Sequence, residues 1–66
     1  MNNTIKVQRV LKNTSQKELS EYLGVTRQTM HAIENKRFVP STVLALKIAR
    51  FFDMKVEELF ELEEND

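Results

Sequence analysis

Residues 15–35 run Ser15-Gln16-Lys17-Glu18-Leu19-Ser20-Glu21-Tyr22-Leu23-Gly24-Val25-Thr26-Arg27-Gln28-Thr29-Met30-His31-Ala32-Ile33-Glu34-Asn35, and this stretch decides the fold. Ser15 stands three residues before Glu18, the spacing at which each side chain satisfies the other's unpaired backbone N–H at a helix start. Leu19, Tyr22 and Leu23 follow at helical spacing. Gly24 ends the element, because the left-handed conformation favoured just past a helix terminus crowds any Cβ. Thr26 can cap the next helix, which carries Met30 and Ile33 inward and runs to about Glu34 or Asn35. Counting from Gln16, apolar residues fall at the fourth, eighth, tenth, fifteenth and eighteenth positions, with Ser20 at the fifth and Gly24 at the ninth. Two short helices crossing at about 90–120° through a tight turn need this layout. The small residue allows close approach, glycine makes the turn, and the apolar positions fill the angle between the helices.

Outward from this pair, a first helix is predicted at about 4–12, with Asn3 or Thr4 as N-cap and Ile5 facing inward. Its apolar set (Ile5, Val7, Val10, Leu11) is a ragged stripe. Asn35 to Pro40 reads as a loop anchored by Phe38. Ser41 or Thr42 caps a fourth helix to Phe52, whose apolar residues Val43, Leu44, Leu46, Ile48, Ala49 and Phe52 cover much of its circumference. That is the pattern of a central helix packed by several neighbours. Asp53-Met54-Lys55 turns the chain into a last short helix over Val56 to Phe60, and 61–66 is an acidic, frayed end. No stretch sustains the alternation of a strand. The expected fold is all-α: one compact five-helix domain over 1–66, with helices at about 4–12, 16–23, 27–35, 42–52 and 56–60. Tyr22, Phe38 and Phe52 are expected to pack in the core or at its rim.

Composition narrows the function. A chain of 66 residues buries only about 60 % of the surface its unfolded form exposes, which leaves little material for the walls of a catalytic cleft. It has no cysteine and one histidine, so neither a disulfide framework nor a thiolate metal site is available. No nucleophile–base pair or metal cluster can be assembled, and neither enzymatic activity nor a cofactor is expected. No apolar run is long enough for a signal peptide or a membrane span, so a reducing, cytoplasmic location is the plain expectation. The formal net charge of +0 is an average: Met1 to Phe52 holds nine Lys/Arg against three Asp/Glu, a net of +6, and Asp53 to Asp66 holds one against seven, a net of −6. Asymmetry of this kind is compatible with a nucleic-acid partner where the sum is not.

Ser15-Gln16-Lys17-Glu18-Leu19, Gly24-Val25-Thr26-Arg27-Gln28-Thr29, Ala32-Ile33-Glu34-Asn35 and Leu44-Ala45-Leu46-Lys47-Ile48-Ala49 resemble the phage-repressor (Cro/CI-like, XRE) helix-turn-helix family, over about Ile5 to Phe60. The similarity is strongest to small stand-alone bacterial regulators. It implies a lambda-repressor-like domain whose helices two and three form the helix-turn-helix. The implied activity is sequence-specific DNA binding in transcriptional regulation, as a repressor, by a homodimer on a palindromic operator. By the same resemblance Arg27, Gln28, Thr29 and, further along, His31 face bases in the major groove. Arg can grip guanine O6 and N7, Gln can pair with adenine, and the Thr methyl suits thymine. Gln16, Thr26, Asn35, Lys36, Arg37 and Thr42, with Ser41, match positions that hold phosphates and fix register. Ala32 is small enough to let the helix sit deep. Arg9 and Glu34 match a structural ion pair between helix one and the end of helix three. A different class stays open beside this one: an antitoxin or accessory protein-interaction module.

Two copies are expected for a further reason. Phe51, Met54, Val56, Leu59, Phe60 and Leu62 exceed what one short helix can bury against helix four, and an apolar surplus rimmed by polar residues marks an association patch. Double-stranded DNA and a second copy are thus the expected partners, with no membrane and no small-molecule ligand. The −6 end is expected to point away from the duplex.

Overall fold

The computed structural model describes residues 1–66. In chain order it contains β1 (Asn2–Asn3), α1 (Ile5–Leu11), α2 (Gln16–Leu23), α3 (Arg27–Glu34), α4 (Thr42–Phe52), α5 (Val56–Leu59) and β2 (Phe60–Glu61). The five helices lie within a residue of the expected spans: α1 starts one residue later, and α1, α3 and α5 each end one residue earlier. Three N-termini have the expected chemistry. The Ser15 hydroxyl accepts from Glu18 N at 3.0 Å while Ser15 N donates to the Glu18 carboxylate at 3.1 Å, a closed capping box. Thr26 Oγ1 accepts from Thr29 N, and Ser41 Oγ from Leu44 N. At α1 the cap role falls to Asn3, whose Oδ1 accepts from Ile5 N at 3.2 Å; Thr4 makes no side-chain cap bond.

Four helices end the same way. One or two residues past each terminus the chain adopts a left-handed conformation: Asn13 (φ 54°) and Lys36 (φ 63°) two residues beyond α1 and α3, Gly24 (φ 73°) and Asp53 (φ 52°) one beyond α2 and α4. Each pairs back onto its helix in the two-bond closure of a Schellman motif. At α2 these bonds are Gly24 N to Glu21 O and Val25 N to Ser20 O; at α3 they are Lys36 N to Ile33 O and Arg37 N to Ala32 O. Only Gly24 announces this in the sequence, because glycine alone enters that region without a Cβ penalty.

The core is a cluster of Ile5, Leu19, Leu23, Met30, Ile33, Ala45, Ile48, Ala49, Leu59 and Phe60, to which every helix contributes. Ser20 is buried where α2 crosses α3 and donates its hydroxyl to Lys17 O at 2.9 Å, so the small polar residue is satisfied inside its own helix.

Three expectations are corrected. First, the chain has a strand pair. Asn2 faces Glu61 and Asn3 faces Phe60 in antiparallel register, and Thr4 N donates to Leu59 O at 2.9 Å. Strands of two residues are too short for alternation to register, and they divert Phe60 out of α5. Second, this pairing draws Leu59 and Phe60 inward. They are 1 % and 7 % exposed, so the expected association patch loses its centre. Leu62 is exposed, and Phe51, Met54 and Val56 are half-buried against the core. Third, α4 is not surrounded. Val39 in the preceding loop and Val43 and Leu46 on α4 are 59 %, 63 % and 56 % exposed, because only the Ala45–Ile48–Ala49 side meets the core. Val7, Val10 and Leu11 on α1 are exposed in the same way. Tyr22 lies edge-on to Phe51, ring centroids 4.8 Å apart, and Phe51 is edge-on to Phe52 at 5.0 Å. This rim closes the far end of α2 and α4.

Candidate nucleic-acid interface

The tight turn Gly24–Thr26 leaves α3 standing on α2, with Met30 and Ile33 held in the core and the opposite side free. The N-terminal turn of α3 therefore projects Arg27 and Gln28 into solvent, with Thr29 half-exposed beside them. Neither Arg27 nor Gln28 spends a donor within the chain. The Thr26 hydroxyl is occupied: it accepts from Thr29 N and donates to Thr29 Oγ1 at 2.9 Å. Thr29 Oγ1 keeps its own hydrogen free. An exposed helix turn offering a guanidinium, a carboxamide and a hydroxyl can match base edges in a major groove.

Behind this turn a side-chain network joins three helices. Arg9 of α1 grips Glu34 of α3 with two bonds, Nε to Oε2 at 2.8 Å and Nη2 to Oε1 at 3.0 Å, and gives Nη1 to Thr14 O at 3.0 Å. The side chains are 13 % and 3 % exposed, so this is a nearly dry bidentate pair. Glu34 Oε1 also accepts from Gln16 Nε2 at 3.2 Å, and the same amide nitrogen lies 3.5 Å from His31 Nδ1. On the other side of the imidazole, Asn35 Nδ2 lies 3.4 Å from His31 Nε2 and donates to His31 O at 2.8 Å. The pairing of Arg9 with Glu34 was carried in the sequence by family pattern alone; the attachment of Gln16, His31 and Asn35 to it was not.

This network changes the chemistry available at the expected phosphate positions. A phosphate offers only acceptors, whereas the Gln16 amide already directs its N–H groups at Glu34 and His31. Contact with a phosphate requires Gln16 to release one of them, and the 3.5 Å approach to His31 is the weaker. Asn35 is committed to His31 in the same manner. Arg37 and Thr42 are exposed and unpaired. His31 itself is exposed with an amide nitrogen near each ring nitrogen, only one of which can accept a bond in a neutral imidazole.

Lys36 occupies the left-handed position that closes α3, where glycine is the favoured residue. Holding a lysine there costs roughly 1 kcal/mol, partly offset by its charge at the negative end of the helix dipole. Its ammonium lies 3.6 Å from Glu63 Oε1. The acidic end thus does not point wholly away from the recognition side. Glu63 and Asp66 also meet the Met1 ammonium, at 3.2 and 3.1 Å. The segment is folded back by its own turn, Asp66 N donating to Glu63 O at 3.0 Å and Glu63 N to Asp66 Oδ2 at 2.7 Å. These bonds, chiefly the backbone one from its own turn, hold the Asp66 carboxyl below the usual carboxylate range, and hydrogen bonds to Asp66 and Glu63 raise the Met1 amine above its ordinary value. The β1–β2 pairing brings the segment beside Met1, and the ion pairs there join residues far apart in sequence, which a local reading of fraying does not register.

No helix is long and apolar enough to cross a membrane, and no group of three or more His, Cys, Asp or Glu could hold a metal ion.

The family model described as helix-turn-helix matches residues 5–59, from the first residue of α1 to the last of α5. The chain is 50 % identical over 66 residues to an uncharacterized HTH-type transcriptional regulator of Bacillus subtilis, covering 100 % of both chains. It is 46 % identical over 66 residues to an uncharacterized HTH-type transcriptional regulator of Methanocaldococcus jannaschii, again covering 100 % of each. A third such regulator, from Archaeoglobus fulgidus, is 39 % identical over 66 residues, which is 100 % of this chain and 93 % of the relative. The α2–turn–α3 geometry, the exposed first turn of α3 and these matches agree: the chain belongs to the helix-turn-helix family, XRE type.

Proposed function

We propose that the protein is a cytoplasmic, sequence-specific DNA-binding transcriptional regulator that reads its operator with the first turn of α3. The observation that carries this reading is the pair Arg27 and Gln28, exposed, uncommitted and mounted on a capped helix whose other side is locked into the core. Arg27, Gln28 and Thr29 meet base edges. Arg37 and Thr42 meet phosphates directly, Thr26, Gln16, Asn35 and Lys36 after yielding a partner, and His31 lies at the edge of the base-reading face. Regulation follows from occupancy: a protein seated on a promoter excludes polymerase and acts as a repressor. Arg27→Ala is expected to weaken binding to a selected duplex by about 1–3 kcal/mol and relax preference at one base position, whereas Arg37→Ala weakens all duplexes alike. Fluorescence anisotropy on the selected site and on a scrambled one separates the two outcomes. Loss of equal size on both duplexes for Arg27→Ala contradicts a base-reading role.

Two copies act together in this proposal. An eight-residue α3 is about 12 Å long and covers only a few base pairs, while two copies reach half-sites about 34 Å apart. With Leu59 and Phe60 in the core, the surface that fits self-association is the flank of α4. There Val39, Pro40, Leu46 and Val56 line a groove of about 470 Å³ together with the polar Thr42 and Glu57, and Lys47 and Arg50 adjoin Val43 and Leu46. Basic and acidic residues at opposite margins of one apolar patch are self-complementary about a two-fold axis. Leu46→Glu is expected to give a folded monomer in sedimentation while wild type sediments as a dimer; an unchanged sedimentation coefficient removes α4 from the interface.

A second reading has one observation in its favour, the exposed Val7, Val10 and Leu11 of α1, which suit an accessory or antitoxin role on another protein. Under that reading, Arg27→Ala leaves the cellular phenotype intact.

A further inference from the structure

Lys36 sits in the loop that leaves the recognition helix, directly after the residue that caps it. Three connections tie the C-terminal segment to this point. Asn3 Nδ2 donates to Ile33 O in the last turn of α3 at 3.0 Å. Asn3 pairs with Phe60 of β2. From β2 the chain continues into Glu63, whose carboxylate lies between the Lys36 ammonium at 3.6 Å and the Met1 ammonium at 3.2 Å. The turn closed by Glu63 and Asp66 holds the Glu63 backbone in place, and the charge of Lys36 also acts on Asp66. A backbone scaffold thereby brings the end of the chain beside the cation that follows α3, where the two exposed side chains meet.

A carboxylate against an ammonium is the same chemistry as a phosphate oxygen against it. We propose that Glu63 is a built-in competitor of DNA for Lys36, so that the acidic segment must be displaced before Lys36 can hold a phosphate. This rests on the DNA-binding reading above and adds a restraint to it: part of the attraction of the basic surface for any duplex is already satisfied within the chain. Duplexes of all sequences bear the same cost, because phosphate contacts carry no sequence information. The effect falls away at high ionic strength, where an exposed pair and a phosphate contact are both screened.

The test is a double-mutant cycle on duplex affinity at low salt, using a random-sequence duplex and a selected one. Glu63→Gln keeps the size and removes the charge. It is expected to tighten binding to both duplexes by about 1.4- to 5-fold, the range that corresponds to an exposed ion pair, with the gain fading as salt rises. In the Lys36→Gln background the same Glu63→Gln change is expected to do nothing. Both side chains are substantially exposed, and a matching circular-dichroism melt verifies that each variant is folded. No tightening by the single variant overturns the proposal. So does an equal gain in both backgrounds, which means diffuse repulsion by the acidic segment. A wild-type protein that binds with a steep salt dependence while the cycle closes to zero removes only this competition; a wild type that binds no duplex removes the DNA-binding reading and this inference with it.

Discussion

Glu34→Ala is expected to destabilise the protein by about 3–5 kcal/mol, the penalty for leaving one member of a buried pair without the other. The Arg9 guanidinium would keep its bond to Thr14 O but lose both bonds to a carboxylate whose side chain is 3 % exposed. A chain of 66 residues has a total stability of roughly 3–10 kcal/mol, so the variant is expected to lose a large share of it. The two-bond geometry alone does not make the pair a net stabiliser, since desolvation opposes it. Replacing both partners, Arg9→Met with Glu34→Leu, is therefore expected to recover much of the loss. Urea unfolding of the two single variants and the double variant reads this out. A Glu34→Ala loss below about 1 kcal/mol, the range of exposed pairs, contradicts the buried-pair account. Because the Gln16 amide donates to Glu34, the variant frees that donor, and the folded fraction is expected to keep its base preference.

The second large effect is at Leu59. Truncation to Ala is expected to cost about 2–5 kcal/mol, through lost burial plus the cavity left behind, and Leu59→Glu is expected to abolish folding. Leu62, exposed only three residues later, is expected to tolerate Ala within about 0.5 kcal/mol. Thermal melts of Leu59→Ala and Leu62→Ala compare the two directly. Equal, small shifts would return Leu59 to the surface and reopen the C-terminal end as an association patch.

That contrast shows where the sequence stops being informative. Ser15 with Glu18, Gly24, and Thr26 are local signals, each needing only a few neighbouring residues, and all three act in the fold as their spacing predicts. Leu59 and Phe60 carry no such signal. An apolar surplus looks the same whether it faces a partner or its own core, and only the pairing of Asn3 with Phe60 decides which. A two-residue strand has no periodicity to detect, and Asn2-Asn3 is a poor strand sequence by propensity. The outward faces of α1 and α4 are hidden for the converse reason: Val43 and Leu46 read as core because they are apolar, yet more than half of each stays exposed. Around the candidate interface, the exposed turn at Arg27 was visible as soon as the helix boundaries were. The commitments of Gln16, His31 and Asn35 depend on which side chains α2 and α3 bring within 3.5 Å, and the Lys36–Glu63 contact depends on a fold-back between opposite ends of the domain.

The charge division also takes a different meaning. The acidic end balances the basic part in space as well as in sum, since it meets the Met1 ammonium and Lys36 and not solvent alone. The net basic character at the surface is therefore smaller in the resting molecule than the count over Met1 to Phe52 suggests, with Arg27 at the start of α3 and Arg37 just beyond it still exposed.

The central claim is that the first turn of α3 reads DNA in a two-fold assembly. Selection of binding sites from a randomised duplex pool with the wild-type protein tests it most directly. The account predicts an enriched palindrome with half-sites centred about 34 Å, or one helical turn, apart, bound with log K falling at about −0.9 per phosphate contact against log salt. Enrichment of no motif, together with a flat salt response, would contradict it.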